Sequence, residues 1–194
     1  MRGRSKIFDE QEVIKKAIDV FWNKGYESAS TEDLLKAMGI GKGSFYNAFG
    51  GGKEELFEKA LDQFSTVAIN QFKQKIVKSE DPVEELKQFF RSIAFEGKQN
   101  HLKGCFLGNT IAELSNINDS LKKKAVNLLR KLEQLFYEVL QTAKEQGKLK
   151  SKEDPKLLAN YLITFWNGIS ITRRMYQNPK VLAPLIEMHL KMIQ

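Results

Sequence analysis

Apolar side chains recur along most of the chain at the three- and four-residue spacing of amphipathic helices. The first such stretch covers residues 13–22 and stops before Gly25, which suits a left-handed helix cap. Two short apolar stretches follow at residues 34–38 and 45–49, with Gly39 in the turn between them. Two short helices joined by a short turn that contains glycine are typical of a helix-turn-helix. We therefore predict this motif near the N-terminus, with its second helix entering the major groove of DNA.

The remainder of the chain predicts only further helices, because no alternating pattern typical of a strand occurs. Three of these helices begin at an Asp-Pro or Asn-Pro pair, in which the first residue suits the N-cap and proline suits the first turn. Residues 97–104 are predicted as a break between helices. The fold class is therefore all-α, with about nine helices. After the first three, the helices are predicted at about residues 53–78, from 82, 105–114, 121–142, 155–176 and 180–193.

The net charge of +7 is weak evidence for a nucleic-acid partner, because the predicted helix-turn-helix region does not carry it. Residues 1–60 hold ten basic and ten acidic side chains, so this region is formally neutral. Within residues 34–53, however, three lysines occur without any acidic residue, and phosphate contacts need only such a local positive surface. An arm with Arg2, Arg4 and Lys6 precedes the first helix, and both minor-groove contact and a solvated tail remain open for it.

Three features bear on where the protein works. The single cysteine, Cys105, excludes an intramolecular disulfide and fits a reducing compartment. The N-terminus runs directly into acidic residues without an apolar segment, so no secretory signal peptide is expected. The longest strongly apolar stretch, residues 157–166, is too short to span a bilayer. We therefore expect a soluble, cytoplasmic protein.

The segment from Ala17 to Phe49 closely resembles the N-terminal domain of TetR-family transcriptional repressors. It begins Ala-Ile-Asp-Val-Phe-Trp-Asn-Lys-Gly-Tyr and ends Gly-Lys-Gly-Ser-Phe-Tyr-Asn-Ala-Phe, and the related motif Lys-Glu-Glu-Leu-Phe follows at residues 53–57. The resemblance implies a three-helix DNA-binding domain at residues 1–52. It also implies a helical effector-binding and dimerisation domain at residues 53–194, with the fourth helix, from residue 53, linking the two.

The same resemblance implies a function, which is sequence-specific DNA binding in transcriptional regulation, with repression as the expected outcome. Two subunits are expected to pair through their last two helices and to place their recognition helices on a pseudo-palindromic, double-stranded operator. A small-molecule or reactive-species effector is expected to release the DNA by favouring a state with wrongly spaced recognition helices. The alternative is a helical small-molecule-binding or stress-sensing protein with only secondary DNA binding.

The resemblance also assigns DNA contacts to individual side chains. Lys42 lies at the start of the recognition helix, where it reaches guanine or phosphate, and Asn47 suits an adenine edge. Tyr46 resembles the family's phosphate-contacting tyrosine, and Lys53 resembles its backbone clamp at the start of the fourth helix. The expected DNA-binding residues are Thr31, Lys42, Gly43, Ser44, Tyr46, Asn47 and Lys53.

Two departures from the family pattern concern the phosphate contacts. Members usually have about two residues between the positions that match Phe49 and Lys53, whereas this chain has three glycines. The extra residue is expected to loosen or shift Lys53. Gly41 stands where a capping serine is common, and Ala48 offers no polar group where other members often have one. The hold on the phosphates is therefore expected to be lighter than usual.

Four residues are candidates for effector binding or sensing. Cys105 follows Lys-Gly at the start of a predicted helix, where helix amides lower the pKa of a thiol. This segment resembles that of a TetR subgroup in which some members sense electrophiles or oxidants through this cysteine. A small apolar residue packed in the effector domain is the other interpretation of Cys105. Phe106, Phe165 and Trp166 either line an effector cavity or belong to the plain core.

No other chemistry is predicted. His101 and His189 lie far apart in the sequence without a neighbouring cysteine, which disfavours a metal site. No phosphate-binding loop, nucleophile elbow or dinucleotide fingerprint occurs, so no cofactor is expected. Without a visible set of acid, base and nucleophile, an enzyme is a remote third possibility.

Overall fold

The computed structural model describes residues 8–193, so the arm with Arg2, Arg4 and Lys6 lies outside the described residues. Within residues 8–193 the chain forms ten α-helices, one short 3-10 helix and no strand, which confirms the all-α prediction. The helices are α1 (Glu10–Lys24), α2 (Thr31–Met38), α3 (Lys42–Ala48), α4 (Gly52–Lys78), α5 (Pro82–Ile93), α6 (Lys98–Lys103), α7 (Phe106–Leu114), α8 (Asp119–Glu145), α9 (Pro155–Met175) and α10 (Pro179–Leu190), followed by the 3-10 helix Lys191–Ile193.

The prediction of a break at residues 97–104 is wrong, because α6 occupies most of this segment. Gly97 is its N-cap, and Gly104, with a φ of 63°, ends it. Of the six side chains of α6 only that of His101 is buried, so the helix shows no apolar periodicity that the sequence could reveal. The helix count therefore rises to ten in the described part of the chain.

The helix starts predicted from Asp-Pro and Asn-Pro pairs are confirmed. The Asp81 carboxylate accepts hydrogen bonds from the amides of Val83 and Glu84 at 3.1 and 3.0 Å, and a proline opens α5. Asp154 caps α9 and Asn178 caps α10 in the same way. A side-chain oxygen thus satisfies amides of the first turn that have no partner inside the helix.

The chain forms two compact units. The first contains the residues up to Ala68 together with Asn109–Leu128, and the second contains Ile69–Gly108 and the residues from Leu129 onward. Helices α4, α7 and α8 each contribute to both units. The predicted domain boundary between residues 52 and 53 does not coincide with this division. The boundary at residues 52 and 53, as the end of the DNA-binding domain, stays a prediction.

The core of the first unit is built from phenylalanines that hold α1, α3 and α4 together. Phe21 of α1 meets Phe57 of α4 edge to face, with ring centroids 4.7 Å apart, and both rings are buried. Phe45 in the middle of α3 and Phe49 directly after it are completely buried, with ring centroids 5.5 Å apart. Two buried aromatic rings fix the inner face of a seven-residue helix and so determine which residues face outward.

A larger aromatic core lies in the second unit. Phe90 of α5 stacks on Phe165 of α9 at 5.3 Å and contacts Phe136 of α8 at 5.6 Å. Leucine and isoleucine side chains of α10, including Leu182 and Ile186, complete this cluster. The α5, α8, α9 and α10 helices of the second unit therefore share one apolar core.

Candidate nucleic-acid interface

A complete capping box fixes the start of α2. The Ser30 hydroxyl oxygen accepts the Asp33 amide at 3.1 Å, and the Asp33 carboxylate accepts the Ser30 amide at 3.1 Å. The Lys24 ammonium also donates to Asp33 at 2.6 Å. The hydrogen bonds from Lys24 and then from Ser30 lower the pKa of Asp33 to about 2. Thr31, the first residue of α2 and an expected phosphate contact, is half-buried directly after this cap.

The α3 helix presents the expected base contacts on its outer face. Its inner face is fixed by Phe45, while the five polar or small residues between the N-cap and Ala48 are exposed to solvent. Gly41 is the N-cap and supplies no side-chain hydrogen bond, as its residue type led us to expect. The exposed residues of α3 are Lys42, Gly43, Ser44, Tyr46 and Asn47.

Tyr46 projects from α3 while its ring stays packed. The ring meets Phe45 edge to face at 5.0 Å, yet the residue is 47% exposed. Its Cε1 atom also lies 3.8 Å from the position that a Cβ would take on Gly52. The ring is therefore supported by the protein on one side and open to a partner on the other.

The three glycines between α3 and α4 form a tight turn. The Gly52 amide donates to the Phe49 carbonyl at 2.8 Å, and Gly52 adopts a φ of 68°, which side chains disfavour. The Gly51 amide donates to the Glu55 carboxylate at 2.9 Å. This amide first, and the Lys59 ammonium second, lower the pKa of Glu55. The extra glycine is thus absorbed by a left-handed turn with its own hydrogen bonds.

Lys53 points at protein carbonyls in this structure. Its ammonium donates to the carbonyl oxygens of Tyr26 and Ala29 at 3.0 and 3.3 Å and lies 4.5 Å above the centroid of the Tyr26 ring. Lys53 therefore holds the segment of residues 25–30 that joins α1 to α2, which we call the α1–α2 turn. No sequence pattern indicates this role, and the predicted phosphate contact of Lys53 stays a prediction.

A second residue holds the α1–α2 turn, and sequence reasoning missed it. Glu113 lies near the end of α7, in the part of that helix that belongs to the first unit. Its two carboxylate oxygens accept the amides of Tyr26 and Glu27 at 3.0 and 2.9 Å. The Lys53 ammonium therefore binds carbonyls of the α1–α2 turn, and the Glu113 carboxylate binds its amides.

In the second unit, Cys105 is buried directly before α7. Only 4% of its surface is exposed, and the Gly108 amide donates to its sulfur at 3.3 Å. Burial raises the pKa of the Cys105 thiol above its ordinary value. The Gly108 amide, the Trp166 indole, the Leu107 amide and the Arg173 charge oppose this rise, in that order. The resting thiol is therefore packed and protonated, although hydrogen-bond donors surround it.

Several buried side-chain nitrogen atoms of the second unit have no hydrogen-bond partner among the described residues. They are both ring nitrogens of His101, the Trp166 indole nitrogen and the Arg173 Nε. The Trp166 indole opposes the rise in the pKa of Cys105, yet its nitrogen makes no hydrogen bond among the described residues. Arg173 uses its other nitrogens, donating to Glu96 at 2.9 Å and to the Gly104 carbonyl at 2.6 Å. Buried donors without partners are costly unless a water or ligand satisfies them.

The other candidates are aromatic or imidazole side chains that pack in the second unit. Phe106 and Phe165 are buried, and Trp166 stacks on Phe89 at 5.2 Å. His189 stacks on Phe165 at 4.1 Å, and its Nδ1 lies 2.5 Å from the Tyr161 hydroxyl. No group of three potential metal ligands exists within residues 8–193. In the same range, no helix is long and apolar enough to cross a membrane.

A capped first helix, a glycine turn and a second helix with an anchored inner face and an exposed polar face define a helix-turn-helix DNA-binding protein. Residues 13–60 match the family described as "Bacterial regulatory proteins, tetR family". Residues 82–188 match the one described as "Tetracyclin repressor-like, C-terminal domain". The chain belongs to the TetR family and is a DNA-binding transcriptional regulator, as the resemblance implied. This is a family of regulators rather than enzymes.

Individual relatives agree with this assignment along most of their length. The transcriptional repressor ComR of Escherichia coli (strain K12) is 31% identical over 180 residues, covering 89% of this chain and 83% of the relative. The transcriptional repressor DhaR of Mycobacterium sp. (strain GP1) is 27% identical over 171 residues, covering 87% and 83%. A cysteine-substituted variant of the TetR-family regulator CifR, complexed with a 26bp double-strand operator DNA, is 25% identical. It superposes with a TM-score of 0.84 over 99% of this chain and 100% of that one.

Proposed function

We propose that the protein is a repressor that binds a pseudo-palindromic operator as a homodimer and releases it when an effector acts on the second compact unit. One observation carries the DNA-binding part. The exposed polar and small residues of α3 lie together on a short helix whose inner face is fixed by Phe45 and by Phe49 just after it. A helix anchored in this way enters the major groove as a rigid reader. ComR and DhaR are themselves repressors.

Four of the five exposed residues of α3 have a specific proposed role. Lys42 and Asn47 supply the donors and acceptors that distinguish base edges. A Cβ on Gly43 would meet no protein atom within 4 Å, so its lack of a side chain serves close approach to DNA rather than internal packing. Tyr46 and Thr31 supply hydroxyl groups to phosphates. Lys53 is the least important contact in this proposal, because its ammonium already donates to two carbonyls.

The proposed dimer forms through α9 and α10. Along α9, exposed uncharged residues recur at spacings of seven, four, three and four, as in the contact stripe of a coiled coil: Leu157, Thr164, Gly168, Ile171 and Met175. The outer face of α10 continues with Val181, Pro184 and Met188. An exposed apolar stripe on each of two neighbouring helices is what a four-helix interface between two copies requires.

The proposed effector site lies in the second unit. The unpartnered Trp166 and Arg173 nitrogens are buried donors, and the His101 ring offers one donor and one acceptor. A ligand with acceptor atoms and a donor would satisfy these groups. Cys105 offers a thiol beside the Trp166 indole, so a thiol-reactive effector is part of the proposal. Because the target is chromosomal DNA in a bacterial family, we place the protein in the cytoplasm.

Alkylation of Cys105 by iodoacetamide is expected to be slower than that of free cysteine, with a pH midpoint above the roughly 8.5 of a free thiol. The reason is burial, which raises the pKa of this thiol. The Trp166→Phe variant should move the midpoint higher still, since it removes the indole N–H and keeps an aromatic ring. Mass spectrometry of the modified fraction against time, from pH 7 to 10, gives both midpoints. The denatured chain serves as control, and a native midpoint at or below that control would contradict the burial argument.

The experiment that tests the proposed function is selection of bound duplexes from a random DNA pool, repeated at two salt concentrations. Enrichment of an inverted repeat that survives the higher salt supports a sequence-specific dimer. Binding without a motif, lost as salt rises, means that the lysines supply only non-specific attraction. That outcome would favour the alternative, a small-molecule-binding or stress-sensing protein with secondary DNA binding.

A further inference from the structure

The α1–α2 turn is held by two charged side chains from distant parts of the sequence. Lys53 donates to the carbonyls of Tyr26 and Ala29, and Glu113 accepts the amides of Tyr26 and Glu27. All of these residues belong to the first compact unit. Hydrogen bonds to an ionised group are shorter and stronger than neutral ones, so both contacts restrict the turn.

Gly25 gives Glu113 its access to the backbone. A Cβ at position 25 would lie 2.8 Å from both carboxylate oxygens of Glu113, so the Glu113 carboxylate would have to move away from the turn. The φ of 83° at Gly25 also lies in the region that favours glycine. The chain thus leaves a side-chain-free position where the carboxylate lies against the turn. A glutamate that merely solvated the surface would not require this space.

We infer that Glu113 is a positioning residue for operator binding. The α1–α2 turn ends at Ser30, whose capping box fixes the first residues of α2, and α3 follows after the turn at Gly39. A turn that samples several conformations would spread the orientations of the recognition helix. The apparent affinity would then fall by the fraction of molecules in the competent conformation. This inference rests on the proposed function, because Glu113 can position the recognition helix for operator binding only if the protein binds an operator.

The test is the Glu113→Gln variant of the full chain, which keeps the size of the side chain and removes its charge. At one oxygen position an amide N–H₂ would face a backbone N–H, so at least one of the two hydrogen bonds is lost. If the competent fraction falls to about a third in each subunit, a dimer loses about ninefold in affinity for the selected operator. An effect of charge alone would instead increase the affinity for DNA, because removing an anionic side chain reduces repulsion from the phosphates.

The matched control is Glu12→Gln, which makes the same charge change at an exposed position of α1. We expect operator affinity in this control to stay the same or rise slightly. Affinities are measured well below the melting temperature, where a residue that only adds stability leaves them unchanged. Amide hydrogen exchange of Tyr26 and Glu27 is the second readout, and both amides should exchange faster in Glu113→Gln than in the wild type.

The outcomes separate the two proposals. Weaker operator binding together with faster exchange at Tyr26 and Glu27 supports the role of Glu113. Unchanged or stronger operator binding in Glu113→Gln overturns it, and so does weaker binding with unchanged exchange at both amides. A wild-type protein that selects no operator refutes the proposed function itself, and the positioning role falls with it. A wild type that selects an operator and a variant that binds it equally well refute only the inference.

Discussion

The combined variant Lys42→Ala with Tyr46→Phe is expected to weaken operator binding by at least about a hundredfold, while leaving the fold intact. A specific contact to a base or phosphate contributes about 1–3 kcal/mol, and each 1.4 kcal/mol is a factor of ten. Two contacts are removed in each half-site of a dimer. Lys42 is exposed, and the phenylalanine keeps the ring that packs against Phe45 and Gly52. The melting temperature should therefore change little.

The measurement is binding of the selected operator and of an unrelated duplex, each over a range of salt concentrations. If Lys42 contacts a phosphate, the slope of log affinity against log salt falls by about one for each lost lysine contact, whereas loss of the neutral Tyr46 hydroxyl lowers affinity without changing the slope. If Lys42 reads a base, operator affinity falls more than affinity for the unrelated duplex. Lys150→Ala, at an exposed lysine of the second unit, is the control for charge alone. If the double variant binds its operator as tightly as the wild type, the proposal that α3 contacts DNA is wrong.

Local signals made the outline of the fold predictable. An N-cap and its proline are adjacent in sequence, as at Asp81, so the helix start depends on nothing distant. The same holds for the capping box of Ser30 and Asp33. The helix-turn-helix was readable because Phe45 and Phe49 repeat on one face of α3 and both proved to be buried. Where a short-range pattern specifies the element, the sequence is sufficient.

Contacts between distant segments were not predictable. Lys53 carries a motif that suggests DNA, yet its ammonium lies against carbonyls 24 and 27 residues earlier in the chain. Glu113 binds amides 86 and 87 residues away, and a glutamate on an amphipathic helix gives no sign of this. Backbone amides and carbonyls occur at almost every residue. The residue types at positions 26–29 therefore do not indicate that the backbone groups of this segment are bound by distant side chains.

Burial was the second quantity that the sequence left open. The helix start after Cys105 places the Gly108 amide at the sulfur, but the expected lowering of the pKa of this thiol is wrong, because its pKa is raised. Burial of the thiol decides the direction in which its pKa shifts, because it raises the pKa of Cys105 despite four opposing groups. The two interpretations of Cys105, a reactive thiol and a packed apolar residue, are thus compatible. The accessibility of the thiol to reagents determines which one applies.

Ile171→Asp is expected to convert the proposed dimer into monomers and to abolish high-affinity operator binding with it. Ile171 lies towards the C-terminal end of the exposed α9 stripe and is 64% exposed in the single chain, so the free subunit should tolerate aspartate. In a dimer the carboxylate would be buried against apolar side chains without a partner, which costs several kcal/mol. Because a symmetric interface contains the substituted position twice, two such carboxylates would be buried in each dimer. The dissociation constant of the dimer should rise by at least about a hundredfold.

Val77→Asp is the matched control, since it makes the same change at an exposed valine of α4, 84% exposed and outside α9 and α10. Sedimentation velocity over a range of protein concentrations reports the oligomeric state of both variants, and circular dichroism reports their helix content. A folded, monomeric Ile171→Asp that binds a half-site weakly would link dimerisation to operator affinity, because each monomer reaches only one major groove. If Ile171→Asp stays dimeric while Val77→Asp dissociates, the interface lies on another face of the second unit, and the spacing of the recognition helices must be derived from that face instead.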